Sequence, residues 1–104
     1  MSAVLFEPDA ADDLAAAAAW YEERTPAAGL RLVLAVHETV RRVAEHPSAY
    51  PLVPRVSRTL GVRRALVRVF PYAVIFRVRG EEIRIIAVAH TKRRPRYWRD
   101  RVQR

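Results

Sequence analysis

The apolar residues of this chain follow helical spacing in the first half and strand-like alternation in the second. A short apolar run at 3–6, AVLF, predicts a first strand. Pro8 and the acidic residues after it predict a helix over about 8–25, because proline and negative charge both suit a helix N-terminus. A second helix is expected over about 27–45. The apolar faces of the two helices are formed by Ala10, Leu14, Ala17, Ala18 and Tyr21, and by Leu32 or Val33, Val36, Val40 and Val43.

The second half of the chain predicts three strands followed by a basic tail. The segments 62–70, 72–79 and 82–90 are apolar and alternating, and the links between them are very short. Links this short join antiparallel strands. A proline-containing loop over 47–61 precedes the strands, and Pro95 predicts the start of a short final helix.

This order of elements indicates a single α+β domain over residues 1–104. The predicted architecture is β-α-α-β-β-β, with a twisted, mainly antiparallel sheet, a helical hairpin on one of its faces and a short basic helix at the C-terminus. A chain of this length and apolar content can bury one core.

Charge is distributed unevenly between the two halves. The chain has a formal net charge of +8, but residues 1–54 contain four Arg against eight Asp and Glu, a net −4. Residues 55–104 contain fifteen Lys and Arg against three acids, a net +12. A surface this basic attracts phosphate backbones or acidic peptides. An Arg-rich genome explains the preference for Arg over Lys but not the separation of the acids from the bases.

Several chemistries are not indicated by the sequence. The absence of Cys excludes thiolate chemistry and suits a reducing compartment, and the scattered His residues do not predict a metal site. No cofactor fingerprint is present. No run approaches the length of a membrane span or has the pattern of a signal peptide, so we expect a cytoplasmic protein without a membrane partner.

A candidate site is predicted on the sheet face away from the helices. Alternation places Arg64 and Arg68 together on that face, and the third strand of the second half ends at His90. Arg can bind phosphate, His exchanges protons near neutral pH, and Tyr does so only if cations lower its pKa. The tail brings further bases and aromatics nearby. The catalytic candidates are Arg64, Arg68, His90, Arg93 and Tyr97, and the nucleic-acid-binding candidates are Arg63, Lys92, Arg94 and Arg96.

Each candidate also has a purely structural interpretation. A His at a strand end is commonly a hydrogen-bonded structural residue, and Tyr97 and Trp98 are of the type that packs a tail onto a sheet. Arg64 and Arg68 can simply solvate an exposed face. Individually the structural interpretations are favoured, whereas the cluster as a whole favours a site.

The segments LVRVFPYAVIFRV at 66–78 and IRIIAVAHTKRRPRYW at 83–98 resemble the C-terminal half of the RelE/ParE toxin superfamily. DDLAAAAAWYEER and HPSAYPLV resemble the first helix of that superfamily and the link after its second. The resemblance implies the toxin of a type II toxin–antitoxin pair, of the kind called a plasmid stabilisation protein. It further implies a cognate antitoxin as partner, in a toxin–antitoxin hetero-oligomer.

The resemblance leaves two targets open. RelE-like members cut messenger RNA on the ribosome, without a metal or cofactor, and ParE-like members inhibit DNA gyrase. Tyr72 is followed by Ala73, where RelE-like nucleases have Arg, and of an expected Lys pair the chain retains Arg64 beside Leu66. We therefore carry three hypotheses: an mRNA interferase as the first, a non-enzymatic gyrase inhibitor as the alternative, and an inactive nucleic-acid-binding module as the third.

Overall fold

A computed structural model describes residues 3–94 and 97–103 as one four-stranded sheet with helices on both sides. The strand order is β1-β4-β3-β2; β1 pairs with β4 in parallel, and the other neighbours are antiparallel. This confirms the predicted α+β architecture. The elements are β1 (Ala3–Phe6), α1 (Pro8–Arg24), α2 (Ala28–Glu45), β2 (Arg63–Leu66), β3 (Tyr72–Arg79), β4 (Glu82–His90) and α3 (Arg99–Gln103).

The helices α1 and α2 form a tightly packed antiparallel hairpin. The backbone N–H of Gly29 donates to Glu22 Oε1 over 3.0 Å. A Cβ atom at Gly29 would lie 2.5 Å from the carbonyl oxygen of Ala18 on α1, which is closer than packed atoms approach. Glycine at this position therefore permits the contact between the two helix backbones. The buried face of α2 contains the predicted residues Leu32, Val36, Val40 and Val43.

The helical hairpin covers one face of the sheet, and the other face is not as open as expected. On this second face, Ala73 and Ile75 of β3 are buried together with Val53, Trp98 and Val102. Val53 comes from the 47–61 loop, and the last two residues come from the tail. Two backbone carbonyls of the loop accept hydrogen bonds, Tyr50 from Arg63 Nη1 at 2.6 Å and Arg55 from Arg99 Nη2 at 2.7 Å. The loop and the tail thus reduce the predicted open face to a cleft.

An irregularity in β4 changes which side chains share a face. Ile75 pairs with Ala87 and Phe76 pairs with Ile85, so β4 has one extra residue between these pairs. Before this bulge Ile85 faces the helical hairpin; after it the hairpin side is taken by Val88. Simple alternation along 82–90 would place Arg84, Ile86 and Val88 on one side with His90, and this expectation is wrong because alternation does not continue across a bulge.

None of the described helices is long and apolar enough to cross a lipid bilayer.

Candidate functional site

A cleft of about 200 Å³ lies where the loop, the ends of β3 and β4 and the tail meet. We call it the basic cleft, because three arginines and a histidine contribute to its walls. It is lined by Val53, Pro54, Arg64, Ala73, Ile75, Ala89, His90, Thr91, Arg93, Arg94, Tyr97 and Trp98. The structure therefore brings together five of the nine predicted residues: Arg64, His90, Arg93, Arg94 and Tyr97.

The cationic wall of the basic cleft combines one residue from the sheet with two from the tail. Arg64 is exposed on β2, and Arg93 and Arg94 lie in the turn after the end of β4 at His90. Their side chains form no ion pair within 4.0 Å with any residue that the structure describes. Unpaired guanidinium groups at the rim of a concave apolar surface suit an anionic or acidic partner.

His90 lies in the wall that separates the basic cleft from a second, neighbouring cavity. Its ring contacts Tyr72 edge to face, with 5.1 Å between the ring centroids. Its Nδ1 atom accepts the backbone N–H of Lys92 over 3.1 Å. This hydrogen bond orients the ring and shapes the turn that carries Lys92 and Arg93 away from β4. One ring nitrogen of His90 thus has a structural role.

Tyr97 is held between two arginines and a carboxylate. Arg93 stacks on one side of its ring at 3.9 Å, and Arg101 lies 5.2 Å from the ring centroid. The hydroxyl donates to Asp13 Oδ2 over 3.1 Å. Burial, followed by the charge of Asp13 and this hydrogen bond, raises the pKa of Tyr97 to about 12, although both arginines act in the opposite direction. The shift is opposite to the one that proton exchange by Tyr97 requires.

Because the pKa of Tyr97 is raised in the folded state, the free energy of unfolding is expected to fall as the solution becomes alkaline. An unfolded tyrosine ionises at a pKa of about 10, whereas folded Tyr97 ionises at about 12. The unfolded chain therefore loses this proton first, and the contribution of Tyr97 to stability, complete below pH 10, is lost as the pH rises to about 12. Denaturant titrations across this range are expected to show the decline, and Tyr97→Phe is expected to make it shallower. A Tyr97→Phe protein with the same pH slope as the wild type would contradict the assignment.

Four predicted residues are not brought into the basic cleft. Strand β2 ends at Leu66, and Arg68 follows it toward α2, where its charge acts on Glu38. Arg63 faces the opposite side of the sheet from Arg64, and it is bound to the loop carbonyl of Tyr50. Lys92 is exposed and is not among the residues of the cleft wall. Arg96, the fourth, is outside the described residues.

The main functional residue that the sequence did not indicate is Asp13 of α1. Strand β1 stops opposite Ile85, so the next residues of β4 have a neighbouring strand only on the β3 side. Asp13 Oδ2 accepts the N–H of Val88 at 3.1 Å, and Arg101 Nη1 donates to the carbonyl of Ile86 at 3.0 Å. Asp13 and Arg101 also form a two-contact ion pair of 2.7 and 3.1 Å. These contacts fasten the tail to the sheet edge and thereby fix Tyr97 in the basic cleft.

A second cavity, which we call the aromatic cleft, lies on the other side of His90. Its volume is about 540 Å³, and Trp20, Tyr21 and Tyr72 provide much of its wall. Small side chains on α1, at Ala16 and Ala17, leave the space open. The indole of Trp20 is half exposed, which is unusual for so large an apolar group and typical of contact surfaces. The sequence offered no signal for this cavity, because its residues come from α1, β3 and β4.

The part of the chain that the structure describes does not group ligands for a metal ion. Within residues 3–94 and 97–103, no three His, Cys, Asp or Glu side chains are grouped so that they could hold a metal ion. Among the described residues, the basic cleft itself has no carboxylate in its wall; Asp12 and Asp13 of α1 line the neighbouring cavity, and Asp13 is already paired with Arg101.

The fold and the two clefts define a small basic α+β protein whose unpaired surface groups suit binding to a macromolecule. The family model described as ParE toxin of type II toxin-antitoxin system, parDE, matches residues 4–95, and the chain belongs to this family. The resemblance to the RelE/ParE superfamily is thereby confirmed, and a cognate antitoxin is the partner that the family defines.

A solved structure of the chromosomal ParDE TA system from P. aeruginosa contains a similar chain. The two chains are 26% identical and superpose with a TM-score of 0.76, over 88% of this chain and 98% of that one. No curated protein sequence matches this chain.

Proposed function

We propose that this toxin arrests growth by binding and inhibiting DNA gyrase and that it does not act as a nuclease. Membership of the ParE toxin family supports this choice, since the resemblance implies gyrase as the target of ParE-like members. The sequence analysis placed cleavage of messenger RNA first and inhibition of gyrase second, and the proposal reverses this order. It also places the protein in the cytoplasm, where its target is found.

The observation that carries the proposal is the bonding of Tyr97. Its hydroxyl donates to Asp13 Oδ2, and its pKa is raised to about 12, so it is poorly suited to exchange a proton near neutral pH. Arg68 lies toward α2 rather than in the cleft, and Ala73 stands where an Arg is expected for a nuclease. What is left in the basic cleft is positive charge with few groups for acid–base chemistry, an arrangement that favours binding.

Gyrase inhibition is tested by a supercoiling assay with the purified toxin. We expect the wild type to inhibit supercoiling and the double variant Arg64→Gln, Arg94→Gln to require at least about tenfold more protein, because two charged contacts are removed. Arg31→Gln is the control for the loss of an exposed arginine outside the basic cleft, and each single variant, Arg64→Gln and Arg94→Gln, is compared with it. Undisturbed supercoiling at doses that arrest growth would refute the proposal.

Ribonuclease action remains the second candidate because Arg64, His90, Arg93 and Arg94 line one cleft. Mapping of RNA ends in a translation extract distinguishes it from gyrase inhibition. New ends that disappear with His90→Ala would favour cleavage assisted by His90. Growth that is unaffected by expression without an antitoxin would instead favour the inactive binding module.

The antitoxin is proposed to present an acidic segment to the basic half of the toxin. Residues 55–104 have a net formal charge of +12, and the arginines of the basic cleft are unpaired among the described residues. Opposite charges accelerate encounter and improve specificity more than they increase affinity. The resulting complex would be a toxin–antitoxin hetero-oligomer.

A further inference from the structure

A third cavity lies away from the basic cleft, at the end of the sheet near the β3–β4 hairpin. Its volume is about 270 Å³, and four arginines contribute to its wall: Arg77 and Arg79 of β3, Arg84 of β4 and Arg101 of α3. We call it the arginine pocket. Ile86 and Val102 provide apolar surface within it, and both belong to the buried cluster on the second face of the sheet.

The acidic residues of this region are already engaged by two of the four arginines. Arg84 pairs with Glu7 at 2.9 Å and with Glu82 at 2.7 Å. Arg101 pairs with Asp13 at 2.7 Å and more distantly, at 3.7 Å, with Asp9. Two carboxylates thus approach each of these two arginines, so neither arginine has an uncompensated positive charge. Glu7 and Asp9 also line the arginine pocket, where they stand against its four arginines.

The positive charges of Arg77 and Arg79 are not compensated in this way. Neither forms an ion pair within 4.0 Å with any residue in the described part of the chain. The Nε atom of Arg77 is buried and has no hydrogen-bond partner among those residues. Burial lowers the pKa of Arg77, and the charges of Arg79 and Arg84 lower it further. A buried donor without a partner is costly, and an anion beside Arg77 would offset that cost.

We propose that the arginine pocket binds a phosphate group between Arg77 and Arg79. These residues are two positions apart on one strand, so their backbones are separated by about 6.6 Å and their side chains leave the same face. Guanidinium groups bind phosphate oxygens in pairs of parallel hydrogen bonds. A phosphate monoester has a charge near −2 and matches two unpaired arginines, whereas a carboxylate matches only one. The ligand that this match favours is a phosphate with two negative charges, as in inorganic phosphate or a nucleotide, whereas a phosphodiester of a nucleic-acid backbone carries only one.

This site is separate from the gyrase proposal. The arginine pocket and the basic cleft share no lining residue. Phosphate binding can therefore be present in a toxin that leaves gyrase untouched, and absent from one that inhibits it.

The test is titration calorimetry of the full chain at constant ionic strength with three probes: inorganic phosphate, adenosine monophosphate and a short oligonucleotide without terminal phosphates. We expect one phosphate per chain, and Arg77→Gln or Arg79→Gln is expected to weaken binding by about tenfold or more. Arg31→Gln, an exposed arginine on α2, is the control and should bind like the wild type. Arg77→Lys keeps the positive charge but loses the planar guanidinium that donates two parallel hydrogen bonds. This variant should therefore also bind phosphate more weakly.

Each calorimetric result either supports or overturns the proposed phosphate site. Binding of phosphate and the nucleotide supports the proposal, and binding of the oligonucleotide alone, whose phosphodiesters carry one charge each, contradicts it. Equal affinity for the wild type and the folded Arg77→Gln protein, or no binding of any probe, overturns it. If circular dichroism shows that Arg77→Gln is unfolded, the phosphate affinity of Arg79→Gln is compared with that of the wild type instead, because Arg79 is exposed and its substitution should not affect folding.

Discussion

Replacement of Asp13 by alanine is expected to lower the free energy of unfolding by about 3 kcal/mol, because it removes one partner of a largely buried ion pair and leaves Arg101 with only the more distant carboxylate of Asp9, at 3.7 Å. The side chains of Asp13 and Arg101 are 10% and 18% exposed, so solvent screens their interaction only slightly. The same substitution removes the acceptor of the Val88 N–H and of the Tyr97 hydroxyl. Chemical denaturation followed by circular dichroism measures the change.

Asp12 is the matched control for Asp13. It is the preceding residue on α1, it is exposed, and it forms no ion pair within 4.0 Å in the described structure. Asp12→Ala is expected to change stability by less than about 0.5 kcal/mol. Similar losses for the two variants would mean that helix propensity or net charge, rather than the Asp13–Arg101 pair, is responsible. A double-mutant cycle with Arg101→Ala would then show no coupling.

Loss of the Asp13 contacts is also expected to loosen the tail. Residues 97–103 bring Tyr97 and Trp98 to the basic cleft, and Asp13 is the anchor shared by Tyr97 and Arg101. Release of these contacts would free Arg93 from its stacked position on the Tyr97 ring. The arginines of the basic cleft would keep their charge but lose their fixed positions. Binding of gyrase should therefore weaken together with the stability of the fold.

Phe76→Ala is expected to destabilise the fold by about 4 kcal/mol, because the deletion of a buried aromatic ring leaves a cavity. Phe76 is fully buried at the centre of β3, in the cluster of apolar residues between the sheet and the α1–α2 hairpin, which we call the hairpin-side cluster. Its ring packs edge to face on that of Tyr50, with 5.9 Å between the ring centroids. It also pairs with Ile85 at the β4 bulge. Thermal or chemical unfolding measures the loss.

Leu66→Ala is the comparison for this prediction. Leu66 lies on the adjacent strand β2 and is 65% exposed, so its truncation removes little buried surface and should cost less than about 0.5 kcal/mol. Phe76→Leu keeps most of the apolar volume, so its loss in free energy of unfolding should lie between those of Phe76→Ala and Leu66→Ala. A Phe76→Ala protein as stable as Leu66→Ala would show that the hairpin-side cluster does not contribute as its burial indicates.

The local elements of the fold could be predicted from the sequence because their causes are local. Pro8 with the acids after it marks the start of α1, and the helix covers Pro8–Arg24 as expected. The apolar period of α2 identified Leu32, Val36, Val40 and Val43, all of which are buried. The tight links gave antiparallel pairing of β2, β3 and β4. Helix period, proline geometry and turn length each depend on neighbours a few residues apart.

The composition of the candidate site was only partly predictable. The basic tail and the ends of the strands indicated Arg64, His90, Arg93, Arg94 and Tyr97, and the basic cleft contains all five. Arg68 was misplaced because alternation was extended beyond Leu66, where β2 ends, and Val69 with a φ of 75° changes the course of the chain. Arg63 was assigned to the site by charge alone, although the pleat directs it to the other face.

The elements, their order, the charge separation and the family can be recognised from the residues alone. Three features depend on the packed fold: Asp13 binds Tyr97 and Arg101, the loop and the tail cover the second face of the sheet, and Arg77 and Arg79 have no carboxylate within 4.0 Å among the described residues. Asp13 and Arg101 are 88 positions apart along the chain. Contacts over such separations depend on how the sheet, the bulge and the helices pack together, and no local pattern of residues records that packing.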